Sequence, residues 1–167
     1  MKNKFIDSGK VPKETALAFE WYLRATEQKD AWAQYKLGIC YRRGEGVRRN
    51  TTKAAKWLRK AALQGNSSAQ CDIGICYLTG DGVTSDTTKA AEWFRKSADQ
   101  EVAVAQCNLG VCYLMGIGVP RSAANAAEWF RRAANHGNAT AQMELKKLND
   151  KKRINPIKTK CEIQCLN

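Results

Sequence analysis

Acidic residues and histidine are scarce in this chain. Its 167 residues hold 16 Asp+Glu against 28 Lys+Arg, for a net charge of +12, and one histidine. A single histidine excludes catalytic schemes that need two, and Cys2His2 zinc sites with them. No apolar run reaches the roughly 18 residues of a membrane span, so no transmembrane segment is expected. The N-terminal MKNKFIDSGK has basic residues with no apolar stretch behind them, unlike a secretory signal. A cytoplasmic location is therefore expected, or a secreted or periplasmic one if a leader was trimmed. What is present is ordinary for a folded protein: 44% hydrophobic and 26% charged residues, in a length that suits one domain and buries a core without disulfides.

Seven cysteines stand at positions 40, 71, 76, 107, 112, 161 and 165. The count is odd, so at least one thiol has no partner within the chain. With no leader in view, a reducing compartment is expected. The spacing says more. Cys40, Cys76 and Cys112 are 36 residues apart, as are Cys71 and Cys107.

The same period runs through the chain. Ala33-Gln34 returns as Ala69-Gln70, Ala105-Gln106 and Ala141-Gln142. Gly38-Ile39-Cys40-Tyr41 returns as Gly74-Ile75-Cys76-Tyr77 and Gly110-Val111-Cys112-Tyr113. Gly44-x-Gly46-Val47 returns as Gly80-x-Gly82-Val83 and Gly116-x-Gly118-Val119. Trp57 returns as Trp93 and Trp129, and backward as Trp21.

Each unit reads as two helices. The first, near 31–43, has apolar residues at 33, 37, 40 and 41, at helical spacing. Gly44 stands where a helix end takes a left-handed residue, and Gly46 supplies the next turn. Asn50, Asp86 and Ser122 are suited to cap the second helix, because each side-chain oxygen can accept a first-turn N–H. That helix ends at Gly65 in the first unit and Gly137 in the third. Glu101 stands there in the second, which predicts the least well-capped junction. Gly38, Gly74 and Gly110 fall mid-helix, where glycine costs about 1 kcal/mol against alanine. Close approach of a neighbouring helix offsets that cost. Trp57, Trp93 and Trp129 are expected to fill the space between helices.

The pattern A-x-x-x-L-G-x-x-Y-x-x-G-x-G-V followed by A-x-x-W-x-x-K/R-A-A-x-x-G resembles the Sel-1-like repeat, a relative of the tetratricopeptide repeats. The resemblance covers roughly residues 14–150. It implies an all-α, right-handed superhelical solenoid with units 31–66, 67–102 and 103–138, flanked by single helices at 14–29 and 139–150. Residues 1–13 precede it. A basic tail, 151–167, follows, with Pro156 breaking any continuing helix. Such repeats serve many unrelated partners, so the resemblance specifies fold better than function.

Enzyme chemistry finds little footing. His136 reads as a cap or surface residue near a helix end, and the GxG loops follow a helix rather than a strand, unlike phosphate loops. No metal or cofactor is expected. Cys71 and Cys76 are five residues apart on one helix, a turn of about 140° and a rise of roughly 7.5 Å, so they cannot bridge. A cysteine-rich branch of the family pairs a cysteine at the K-A-A segment; Ala62, Ala98 and Ala134 stand there instead. That weakens carry-over of the β-lactam or cell-wall-peptide activity ascribed to that branch. Cys40, Cys76 and Cys112 read as small core hydrophobes. Cys161 and Cys165, in a polar tail, read as free thiols, with a loose redox pair as the alternative.

Binding is the remaining reading. The tetratricopeptide relationship makes Trp32, Tyr35, Ile39, Arg42 and Arg43 groove-facing. One period on come Ser68, Cys71, Ile75, Leu78 and Thr79, then Val104, Cys107, Val111, Leu114 and Met115. The implied groove is apolar in its middle, with Cys71 and Cys107 as soft contacts. Charge is uneven. Residues 31–66 carry nine basic and one acidic side chain, net +8, whereas 67–102 are net −3, 103–138 net +2 and 139–167 net +4. Arg48 and Arg49 join Arg42 and Arg43 as a patch to steer an acidic segment of a partner protein. Lys53, Lys56, Arg59 and Lys60 read equally well as a solvated face. The expected function is a non-enzymatic scaffold or adaptor, with an immunity- or effector-type bacterial factor as one form. The alternatives are an enzyme acting on β-lactams or cell-wall peptides, and a salt-sensitive binder of anionic nucleic acid or membrane surfaces. Nucleic acid is disfavoured, because no recognised motif interleaves aromatics with the basic residues.

Overall fold

The 36-residue period is realised as a ladder of helical hairpins. The computed structural model describes residues 13–150. The leading residues and the basic tail, with the free thiols expected at Cys161 and Cys165, lie outside the described residues. In chain order the helices are α1 (Lys13–Ala25), α2 (Ala31–Arg43), α3 (Thr51–Leu63), α4 (Ser67–Thr79), α5 (Thr87–Ala98), α6 (Ala103–Met115), α7 (Ala123–Asn135) and α8 (139–150). Among the described residues there is no strand. Each helix packs on its chain neighbour, so the protein is an all-α solenoid in which α2–α3, α4–α5 and α6–α7 are the successive hairpins.

Capping chemistry places the helix starts. Asn50, Asp86 and Ser122 accept from the backbone N–H of Lys53, Lys89 and Asn125 at 2.8, 3.0 and 3.2 Å. Gly44, Gly80 and Gly116 close the first helices in the left-handed conformation, each donating its N–H to a cysteine carbonyl at 2.8 Å. The α5–α6 junction is the least well capped, as Glu101 led us to expect. Glu101 takes φ 63° where Gly65 and Gly137 take 90° and 79°. The next residue, Val102, offers no side-chain cap, whereas Asn66 and Asn138 cap α4 and α8. The first unit departs from the expected helix at 14–29: α1 ends at Ala25, and a 3-10 turn, Thr26–Gln28, leads to Lys29 at φ 59°.

The mid-helix glycines are contact points. A methyl group at Gly38, Gly74 or Gly110 would sit 2.9, 2.8 or 2.7 Å from Leu58, Phe94 or Phe130 on the paired helix. Those three side chains are fully buried, each contributing about 1.5–3 kcal/mol of apolar burial. Tryptophans join the units. Trp93 packs with Ile39, Leu58 and Ala62 of the unit before it, and Trp129 with Cys71 and Phe94. Trp57 is half-buried against the cluster of Phe19, Leu37 and Tyr41. Trp21 differs: it is 73% exposed. Its register needs a preceding hairpin, and none lies before α1 among the described residues.

Candidate functional site

The face expected to bind a partner runs across α2, α4 and α6. Both edges of it are open. Trp32, Ser68 and Val104 are exposed along one edge, and Arg43, Thr79 and Met115 along the other. Between them Tyr35, Ile75, Leu78, Val111 and Leu114 are half-buried. Ile75 and Leu78 pack on the core around Phe94, and Val111 and Leu114 on the core that also takes Leu145 and Leu148 of α8. The face is therefore a shallow floor between two exposed rims.

Three of the expected contact residues are withdrawn from it. Ile39, Cys71 and Cys107 lie in the cores, the two cysteines only 6% and 5% exposed. Packing of successive hairpins closes over them. Cys71 touches the α6 side chain Asn108 in place of solvent, with Nδ2 4.0 Å from Sγ.

Arg42 is also committed. Its guanidinium donates from Nη1 and Nη2 to the two carboxylate oxygens of Asp72 at 3.0 and 3.3 Å. This bidentate pair joins α2 to α4, and both side chains are mostly screened from solvent. Tyr35 stands beside it; burial first, then the Asp72 charge, raises its hydroxyl pKa. Arg43 has one exposed contact, to Glu45 at 3.4 Å, worth little in water. Arg48 and Arg49 are exposed and join no ion pair among the described residues. The basic patch thus consists of Arg43, Arg48 and Arg49.

The five described cysteines are free and buried. Desolvation disfavours the thiolate, lifting Cys71 to about 12 and Cys76 and Cys112 to about 11, with Cys40 and Cys107 also raised. Nucleophilic or metal chemistry needs the thiolate, so these groups suit packing. A thiol-specific chromogenic reagent at mildly alkaline pH should label these five at least about a hundredfold more slowly in the folded protein than in guanidinium. Fast labelling of Cys71 in the native state would show that the core opens at that position.

One feature escaped the sequence reading. A cavity of about 400 Å³ opens between α3 and the α4–α5 turn, lined by Ala55, Leu63, Tyr77 and Val83 and rimmed by Lys56, Arg59 and Lys60. Leu63 is strongly exposed, and Lys60 Nζ lies 4.2 Å from the Trp57 ring. The basic side chains of α3, read from sequence as a solvated face, border an apolar recess. Their helical spacing was visible; the approach of Val83 from the next unit was not. Among the described residues no cluster of His, Cys, Asp or Glu could hold a metal, and no helix is long and apolar enough to cross a membrane.

Known proteins agree with this architecture. The Sel1 repeat family matches the chain at residues 6–30, 33–66, 67–102 and 103–138. A protective antigen of uropathogenic Escherichia coli displaying an SLR fold is 39% identical, with a TM-score of 0.75, over 77% of this chain. A Sel1 repeat protein from Oxalobacter formigenes is 33% identical, with a TM-score of 0.76, over 81%. This chain spans 28% of the antigen and 55% of the Oxalobacter protein. Cysteine rich protein B of Helicobacter pylori shares the fold at 23% identity and a TM-score of 0.65, over 82% of this chain and 98% of its own. No curated protein sequence matches the chain significantly. Sel1 repeats are typically protein–protein interaction modules. The three hairpins stack in the register of the last three matched segments, and the protein belongs to the Sel1 repeat family.

Proposed function

We propose that the protein is a non-catalytic docking module that holds an acidic segment of a partner protein across α2, α4 and α6. The observation that carries this reading is the asymmetry of the exposed rim. Arg43, Arg48 and Arg49 stand at the α2–α3 turn of a unit of net charge +8, which is followed by a unit of net −3. A partner with acidic residues is steered to that end. Trp32, Val104 and Met115 offer apolar anchors on a preformed surface, so little ordering entropy is lost on docking. A cytoplasmic setting suits the five reduced, buried thiols. Catalysis on β-lactams or cell-wall peptides gains no support from the enclosed thiols. The cavity beside Lys56, Arg59 and Lys60 favours a second reading, in which the acidic segment inserts an apolar residue there instead.

Fluorescence anisotropy with a labelled peptide of alternating glutamate and leucine separates the two. Reversal of Arg43, Arg48 and Arg49 to glutamate should weaken binding at least about tenfold, with a loss that shrinks as salt rises. Reversal of Lys56, Arg59 and Lys60 should leave it within about twofold. The opposite ranking moves the site to the cavity, and equal affinity of all three proteins rejects both.

A further inference from the structure

The repeat carries a side-chain ladder that is interrupted once. Gln64 Nε2 donates to Gln34 Oε1 at 2.8 Å, and Gln100 Nε2 donates to Gln70 Oε1 at 2.7 Å. In each case a residue at the end of a second helix serves a buried glutamine of the preceding first helix, thirty residues back. The next pair in register is Gln106 and His136. Gln106 is 2% exposed, and its Nε2 donates to the Ala98 carbonyl at 3.3 Å. Among the described residues its Oε1 has no hydrogen-bond partner. A buried acceptor left without a donor costs about 1–3 kcal/mol.

Gln106 borders a polar cavity of about 320 Å³, walled also by Asp99, Glu101, Arg132, Asn135 and His136. Several local features favour positive charge there. The cavity lies at the C-terminal ends of α5 and α7, where the helix dipoles are negative. Asp99 and Glu101 join no ion pair among the described residues. Glu101 is held at φ 63°, in a register where two of the other three units have glycine; strain of this kind collects at binding sites. The one cation in the wall is already engaged, for Arg132 Nε donates to Glu128 at 3.2 Å and its guanidinium lies 4.7 Å from the Trp129 ring.

We propose that this cavity is a binding site for an alkylammonium group. One N–H donates to Gln106 Oε1, Asp99 and Glu101 neutralise the charge, and a ring nitrogen of His136 accepts a second N–H. The ammonium takes the place that the Gln64 and Gln100 amides fill in the other units.

Titration of the full-length, isotope-labelled protein with putrescine, followed by amide NMR at constant ionic strength, tests the site. Saturable shifts are expected at Glu101, Gln106 and His136, and none with butanol. His136→Gln supplies the missing amide donor, so it should raise the melting temperature by about 2–4 °C and weaken putrescine binding at least about tenfold. Glu101→Gly should weaken binding while relieving the backbone strain. A blocked Gly-Lys-Gly peptide distinguishes the sources: tighter binding than putrescine indicates a lysine of a polypeptide, and weaker binding indicates a free amine. Absence of saturable shifts, shifts confined to other helices, or unchanged binding in His136→Gln would overturn the proposal, even if that variant is more stable.

Discussion

Gly82→Ala should lower the melting temperature by about 10 °C, and Gly65→Ala by about half of that or less. Both glycines have positive φ, 78° and 90°, so alanine costs roughly 1–2 kcal/mol of backbone strain at either. Their surroundings differ. Beyond its two chain neighbours, no atom of the described residues lies within 4 Å of a methyl group built on Gly65. A methyl on Gly82 collides with the carbonyl of Thr51, the first residue of α3 in the preceding unit. Backbone cannot swing aside as a side chain can, so the two units must separate locally. Overpacking of that kind adds about 1–3 kcal/mol, and each 1 kcal/mol shifts the melting point by roughly 2–4 °C at this size. Thermal unfolding of the two variants side by side separates strain from contact. Equal losses would mean that the turn does not bear on the unit below it.

Phe94→Ala should cost about 3–5 kcal/mol in urea unfolding. Phe94 is fully buried in the middle unit, packed with Ala90, Leu109, Cys112 and Trp129, so the loss reaches into the third unit as well. The ring also presses on the backbone of Gly74 at a distance that leaves no room for a methyl. Gly74→Ala alone should therefore destabilise. In the Phe94→Ala background the added methyl enters vacated space, and the two changes should couple favourably by about 1 kcal/mol or more. Strict additivity would show that the glycine is there for a reason other than the ring.

The repeat, the caps and the glycine contacts were legible because they recur. A cap at Asn50 that returns as Asp86 and Ser122 identifies itself by register, and so do Gly38, Gly74 and Gly110 with their bulky partners. The misread features carry no such signal. The Arg42–Asp72 pair has no counterpart, since Leu78 and Asn108 stand in those registers one unit later. Nothing in the spacing distinguishes an arginine facing solvent from one that reaches the next hairpin. Cys71 and Cys107 were assigned to an open face because helical spacing gives direction without giving depth. The depth comes from how closely the next hairpin approaches, a distance that small residues at many positions set together. Trp21 shares its register with three tryptophans that are half-buried or buried but lacks the neighbour that covers them. The gap at Gln106 could have been found by asking which residue breaks the pattern of Gln64 and Gln100.

Each joint between units sets the second turn glycine on a helix-start carbonyl thirty-one residues earlier: Gly46 on Thr15, Gly82 on Thr51, Gly118 on Thr87. Excision of residues 67–102 by in-frame recombination would bring Gly118 onto Thr51 and seat Trp129 where Trp93 had been. The new seam would be of the same kind as the ones it replaced. Arg42 would then meet Asn108 instead of a carboxylate, so inheritance by whole units conserves the scaffold while rewriting the charge along it.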